Sequence, residues 1–369
     1  MSPIASFDDF VPQLRAFITR SQEPSVPRIE LNAEFNRLAA ALFALQREAV
    51  PIYGKFCAKC HAAAARDWRD IPALPTSAFK EYEVTSLPPA QRTRVFHSSG
   101  TTRQRPSRHF HNHQSLEIYE ESLRPWFRRH FLNPPSAIHN PQLIILTPSA
   151  AQAPHSSLAH MFDMVRTDFD SALSTGQIDG EGTWTLDLER TLAALQEAQA
   201  ARQPVALLGT AFSFVHLLDH CRESQTRLRL APGSRALETG GYKGRGRIVS
   251  KPELRLMMER WLGIPESHIL AEYGMSELSS QAYDRVLPEK AGGFRFPPWA
   301  RARIISPETG RDAEEGETGM VRVYDLANVW SVLAVQTEDL AVRREDGFEL
   351  TGRAAHTAAR GCSLQLQEL

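Results

Sequence analysis

A chain of 369 residues, 42% of them hydrophobic, can bury the core of one large domain or two unequal ones, which excludes disorder as its default state. Its 42 Lys and Arg against 43 Asp and Glu leave a formal net charge of −1. No overall electrostatic footprint therefore points to nucleic acid or to an anionic membrane, and a small-molecule substrate is expected.

The segment from Met1 to Arg20 carries Asp8 and Asp9 and lacks a basic stretch followed by an apolar run, so it does not read as a secretory signal. No apolar stretch approaches the roughly 20 residues of a bilayer-crossing helix, and the expected location is the cytoplasm. Four unevenly spaced cysteines then read as free thiols. From Phe7 to Trp68 the apolar spacing is mostly helical, interrupted by the polar, proline-bearing stretch Ser21 to Pro27, so residues 1–70 are predicted to be a helical N-terminal region. Within it Cys57, Cys60 and His61 spell Cys-x-x-Cys-His, a haem-attachment pattern. The Ala- and Leu-rich context and the absence of a second ligand pair argue against haem and zinc, and for half-buried cysteines on a helix.

After the proline-marked turn around Ile71 to Pro75, short apolar runs alternate with amphipathic segments, the pattern of a sheet covered by helices. Strands are predicted at Arg94 to His97, Gln142 to Leu146, Val205 to Leu208, Arg235 to Glu238 and His268 to Glu272. Helices are predicted at Gln114 to Phe131, Ser156 to Asp168, Leu186 to Ala201, Ala211 to Cys221 and Lys251 to Trp261. Residues 71–300 thus read as an α/β core. Beyond Arg301, strands at Ala302 to Ile305, Gly319 to Tyr324, Val332 to Val335, Leu340 to Arg343 and Phe348 to Thr351 make residues 301–369 a β subdomain with a tail carrying Cys362.

The strongest local signal is Val95-Phe96-His97-Ser98-Ser99-Gly100-Thr101-Thr102, a strand running into a loop of hydroxyl residues around a glycine. Backbone N–H groups and hydroxyls in such a loop suit phosphate oxygens, and Gly100 removes the Cβ that would block close approach. Arg108, soon after, is the favoured neutralising cation. Downstream, Ala271-Glu272-Tyr273-Gly274-Met275-Ser276-Glu277 places an aromatic ring, a glycine, a hydroxyl and a carboxylate at the end of a predicted strand, where α/β sheets bind ligands. Tyr273 suits stacking on a purine, and Glu277 suits Mg²⁺. Asp339, in Thr337-Glu338-Asp339, suits two ribose hydroxyls, and Arg353 in Gly352-Arg353 supplies a second cation.

These four motifs, in this order, resemble those of the acyl-adenylate-forming superfamily of acyl-CoA synthetases, adenylation domains and luciferases. The chain is most similar to the acyl-protein synthetases of the LuxE type through Phe96 to Thr102, Gly240-Gly241-Tyr242-Lys243 and the ending Arg360-Gly361-Cys362-Ser363-Leu364. The resemblance runs from about Leu74 onward. It implies the large N-terminal domain of the adenylate-forming fold, with helix-flanked sheets and a β subdomain.

It also implies that Ser98, Ser99, Gly100, Thr101 and Thr102 grip ATP phosphates, that Gly240 and Gly241 with Tyr273, Gly274, Met275 and Ser276 surround the nucleotide, and that Glu277 binds Mg²⁺. Asp339 would hold the ribose, Arg353 would contact the nucleotide, and Cys362 would take the acyl group as a thioester. A reductase or acyltransferase would be the accepting partner protein.

Three departures from the superfamily stand out. Pro106-Ser107-Arg108 replaces a Pro-Lys-Gly ending, Thr-Glu-Asp replaces Thr-Gly-Asp, and the small C-terminal domain with its catalytic lysine is expected to be missing. Lys243, in a glycine-rich turn, is the candidate for part of that lysine's role. Arg360 beside Cys362 and His356 upstream would raise its thiolate fraction. Gly209, Thr210 and Ala211, with the Ser156-Ser157 turn, are expected to line the acyl pocket unless they only cap helices. His109, His111 and His113 alternate as on an extended segment, without the carboxylate or Cys that would complete a metal set. Two other functions fit the same residues: a ligase that releases an acyl- or aryl-CoA thioester and so uses coenzyme A, and a nucleotide-binding relative without turnover.

Overall fold

The computed structural model describes residues 3–98, 105–132, 140–240, 247, 249–284 and 293–354. The chain forms two compact units, the first from Met1–Trp126, Met275–Ala282 and Lys290–Leu369, the second from Phe127–Gly274 and Tyr283–Glu289. This division cuts across the expected boundaries near residues 70 and 300. The strand Leu74–Pro75 pairs in parallel with Val335 and Gln336, which ties residues just past 70 to the C-terminal sheet.

In the first unit, helices Phe7–Arg20, Arg28–Ala49 and Pro51–Lys59 come first. Ser6 starts the first of them by accepting a hydrogen bond from Asp9 N, and Phe10, Leu14, Phe17 and Ile18 repeat at helical spacing on its buried side. Cys57 is buried on the third helix and Cys60 caps its end, as the sequence suggested. Burial lifts the Cys57 thiol to about 12, so it stays protonated and unreactive.

The unit's five-stranded sheet runs in the order Leu74–Pro75, Ala334–Arg344, Thr318–Asp325, Ala300–Ile305, with Gly347–Arg353 also paired to Ala334–Arg344. The two strands predicted at Val332 to Val335 and Leu340 to Arg343 are one strand of 11 residues. The polar Thr337-Glu338-Asp339 reads as a break in sequence. The pairing instead passes through it by shifting register at Met320/Arg322 and again at Leu340/Ala341.

The second unit carries a parallel sheet in the order Ile269–Tyr273, Arg235–Thr239, Val205–Thr210, Gln142–Ile145, Ala172–Ser174. Helices Ser157–Val165, Leu188–Ala200, Ala211–Glu223 and Lys251–Leu262 accompany it. Side chains of Ser156, Asp187, Thr210 and Ser250 each accept a backbone N–H in the first turn of the helix that follows. Leu146, Leu207, Phe214, Leu218, Met258, Leu262 and Ile269 belong to one buried core between sheet and helices. The helix predicted at Gln114 to Phe131 spans His113–Phe127 and continues as a wider π turn over Arg128–Leu132, just after Pro125. Among the described residues no helix is long and apolar enough to cross a membrane.

Candidate active site

In the first unit, strands Arg94–His97 and Arg108–His111 form an antiparallel hairpin with His97 opposite Arg108. Its far end is closed by Ser98, whose N donates to Ser107 O at 3.3 Å and whose Oγ accepts from Ser107 N at 2.9 Å. Ser99, Gly100, Thr101 and Thr102, between these clamps, lie outside the described residues. Alternation along the second strand leaves Arg108 and Phe110 half-buried on one face and buries His109 and His111 on the other. Arg108 accordingly sits 5.7 Å over the Phe110 ring and 4.0 Å from Glu83. The inward face instead meets the segment that carries Ser276 and Glu277.

That segment, Met275–Ala282, lies mostly outside regular pairing, so side chains must satisfy much of its backbone. His109 Nδ1 lies 2.8 Å from Ser276 O, and Asn328 Nδ2 donates to Glu277 O at 2.8 Å. Ser276 Oγ lies 3.3 Å from Ser107 Oγ and donates to Glu277 Oε2 at 3.0 Å. Asp325 accepts Ser279 N and Ser280 N on one carboxylate oxygen, and Ser280 Oγ and Ala327 N on the other.

Glu277 is only 5% exposed. Burial pushes its carboxyl above the ordinary value, while hydrogen bonds from Ser107 and Ser276 and the charge of Arg353 pull it back. Across the hairpin of Ala334–Arg344 and Gly347–Arg353, Asp339 stands opposite Arg353, whose Nε donates to Asp339 Oδ1 at 2.8 Å. The first unit thus links Ser98, Ser107, Ser276 and Glu277 by hydrogen bonds and pairs Asp339 with Arg353, whose charge is felt at Glu277. Arg108 stays on the other face of its strand.

In the second unit, three adjacent parallel strands end together, with Thr210 opposite Thr239 and Thr239 opposite Glu272. Their C-terminal edge is where such sheets take ligands. Gly240, at φ +70°, turns the chain out of its strand in the left-handed region that favours glycine. Gly240 and Gly274 are exposed there, and Tyr273 is buried at the end of its strand. Gly209 and Ala211 are buried as well, and a Cβ on Gly209 would meet Leu146 at 3.0 Å. Thr210 Oγ1 accepts from Ser213 N, the helix-capping role that the sequence left open.

Beneath this edge lies a pair of buried carboxyls that the sequence reading missed. Burial pushes Glu238 up to about 7, against the pull of Lys251. Burial likewise pushes Glu272 to about 7, against a hydrogen bond from Thr239. An acid whose folded pKa lies above its unfolded value favours folding fully only below that unfolded value. Stability is then lost as pH rises through the folded value. Melting temperature should therefore fall between the ordinary carboxyl value of 4.5 and about 7, and Glu272→Gln should flatten part of that fall when melting is followed by circular dichroism. Identical pH slopes for wild type, Glu238→Gln and Glu272→Gln would show that these carboxyls titrate normally.

Gly241, Lys243 and Cys362 fall outside the described residues. Ser107, His109, Asn328 and Asp325 are functional-site neighbours that sequence reasoning did not single out for this role. The alternation of His109 and His111 was the available signal, since it put both rings on one face.

Comparison with known proteins bears on the family and the fold. A model of the family described as acyl-protein synthetase, LuxE, matches residues 32–369. A long-chain-fatty-acid–luciferin-component ligase of Vibrio harveyi is 24% identical over 336 residues, covering 86% of this chain and 82% of its own. One of the same name from Aliivibrio fischeri is 22% identical over 334 residues, covering 85% and 82%. Among solved structures, an open conformation of 2-hydroxyisobutyryl-CoA ligase in complex with 2-HIB-AMP and CoA superposes with a TM-score of 0.64 at 14% identity, over 90% of this chain and 77% of that one. ATP-bound MatB from Rhodopseudomonas palustris gives 0.50 at 16% identity, over 80% and 52%. These two likenesses concern the fold, that of the large domain of adenylate-forming ligases. With the family model spanning nearly the whole chain, the protein belongs to the LuxE family of acyl-protein synthetases, and it is a ligase.

Proposed function

We propose that this chain uses ATP to activate a carboxylic acid, of the long-chain fatty class named for its relatives, as an acyl-adenylate, and passes the acyl group to Cys362 and then to a partner protein. The observation that carries this reading is the fixing of the buried Glu277 carboxylate, through Ser276 and Ser107, to the base of the hydroxyl-rich loop that starts at Ser98.

A buried carboxylate whose charge is disfavoured by its surroundings suits a hard divalent cation, which would restore its ionised form. Glu277 would hold Mg²⁺, which supplies charge neutralisation for the phosphates. Ser98 to Thr102 would present hydroxyls and backbone N–H groups to those phosphates, Asp339 and Arg353 would bind the ribose and nucleotide, and Gly240 and Gly241 with Tyr273 would flank the adenine. Gly209, Thr210 and Ala211 would line the acyl pocket.

In the first step a carboxylate oxygen attacks the α-phosphorus, the bond to the bridging oxygen breaks, and pyrophosphate leaves. In the second the Cys362 thiolate attacks the acyl carbon, the carbon–oxygen bond to AMP breaks, and AMP leaves as an anion. Positioning and charge stabilisation dominate both steps, and Lys243 and Arg108 are the candidates for further positive charge.

Intact-protein mass spectrometry after incubation with Mg-ATP and a panel of fatty and aromatic acids tests the proposal. Wild type should gain the mass of one acyl group, sensitive to hydroxylamine, whereas Cys362→Ser should gain none while still releasing pyrophosphate. Pyrophosphate without an adduct in wild type would move the reading to release of a CoA thioester. Neither product with any acid would leave a nucleotide-binding relative.

A further inference from the structure

Two consecutive carbonyls of the Met275–Ala282 segment are held by side-chain N–H groups from different elements, His109 for Ser276 O and Asn328 for Glu277 O. Asn328 is itself fixed by Ser279 Oγ on its Oδ1, and its backbone carbonyl accepts from Gln46 Nε2. His109 comes from a separate element, the strand that leaves the Ser98–Ser107 clamp. It is 3% exposed, its ring 4.2 Å from that of His111 and edge-on to Phe79 at 6.2 Å. His111 packs in turn on Phe96 at 4.7 Å. A ring wedged among aromatics cannot swing to another partner, and a carbonyl only accepts, so Nδ1 must carry the proton. Burial keeps the imidazole neutral by lowering it to about 4.

We propose that His109 is a positioning residue for the adenylation step: by donating from Nδ1 to the Ser276 carbonyl, it fixes the Glu277 carboxylate relative to the base of the Ser98–Ser107 loop. This rests on the reading of Glu277 as the Mg²⁺ ligand. His109 touches neither nucleotide nor metal in that scheme. It acts on the peptide that joins Ser276 to Glu277, while the Ser107–Ser276–Glu277 hydroxyl chain orients the carboxylate itself. Sequence order hides the arrangement, because His109 and Ser276 are 167 positions apart.

The test compares wild type with His109→Phe, which keeps ring volume but removes the donor, and His109→Asn, which keeps an amide N–H near the Nδ1 position. Binding of ATP is measured calorimetrically over a Mg²⁺ series and in EDTA, alongside pyrophosphate release. His109→Phe should raise the Mg²⁺ concentration for half-maximal binding and activity by about 10- to 100-fold, the usual cost of losing an outer support of a metal ligand. Binding in EDTA should change little, and His109→Asn should recover most of the Mg²⁺ response.

A His109→Phe protein with wild-type Mg²⁺ dependence would overturn the proposal. So would equal losses with and without Mg²⁺ that His109→Asn does not repair. If His109→Phe does not fold, ring-¹⁵N NMR of wild type, assigned by difference from His109→Asn, decides: an Nδ1-protonated neutral ring is required, and an Nε2-protonated ring refutes it. Wild type that shows no Mg²⁺-dependent ATP binding would instead bring down the proposed function itself, a result distinct from failure of the His109 role.

Discussion

Glu277→Gln should cost pyrophosphate release roughly 10²- to 10³-fold, the scale of removing one preorganised charge-stabilising group, while leaving the protein as stable as wild type or more so. The amide keeps the shape of the side chain and an acceptor for the Ser276 hydroxyl. It loses the negative charge that would hold the cation. The stability half follows from the raised carboxyl: a buried acid pushed above its ordinary value opposes folding wherever the unfolded chain carries it ionised, so a neutral replacement relieves that opposition. A structural residue and a ligand therefore give different results. Pyrophosphate release and a melting curve on the same preparation distinguish them, and wild-type turnover in the variant would remove Glu277 from the reaction.

Asp325→Ala should be the most damaging single change to stability, on the order of 3–5 kcal/mol, because it strands several buried donors at once. Asp325 is fully buried and accepts at 2.9 and 2.8 Å from Ser279 N and Ser280 N, at 2.7 Å from Ser280 Oγ and at 3.0 Å from Ala327 N. These bonds offset the desolvation that pushes its carboxyl upward. Asp325→Asn should also be costly, since its NH₂ would face one pair of those donors. Against a total of about 5–15 kcal/mol for an ordinary domain, such a loss is readily seen in urea unfolding. A midpoint within experimental error of wild type would mean that water replaces the carboxylate without cost.

The sequence made the parallel sheet legible because its strands are apolar runs followed by helices with side-chain caps. Val205–Thr210 leading into Ala211–Glu223 is the clearest case, with Thr210 at the junction. Order and spacing likewise exposed the motifs around Ser98, Tyr273 and Asp339, since each is a contiguous run. What stayed hidden was whatever depends on distant residues meeting. Arg108–His111 lacks the branched residues that announce a strand, and its role appears only when His109 reaches Ser276. Arg108 stands out by proximity to the loop in sequence, and only the structure shows that strand alternation sets it over Phe110 and 4.0 Å from Glu83. Glu238 and Glu272 could not be recognised as buried acids without the sheet that places Glu238 opposite Ala271 and Glu272 opposite Thr239.

The interleaving of the first unit also governs when that unit can fold during synthesis. Gln46 donates to the Val329 carbonyl and accepts from Leu333 N, partners 283 and 287 residues further on, and Thr85 donates to Trp330 O. Leu74–Pro75 finds its strand partner only when Val335 and Gln336 arrive. The continuous stretch Phe127–Gly274 supplies most of the second unit and can close while the ribosome is still working. The first 126 residues must meanwhile remain uncommitted, holding helices such as Arg28–Ala49 whose buried Gln46 lacks its partners Asn328, Val329 and Leu333. A nascent chain stalled before the strand Ala334–Arg344 emerges would thus present a finished second unit beside an unfinished first one, the species most exposed to aggregation and to chaperone capture.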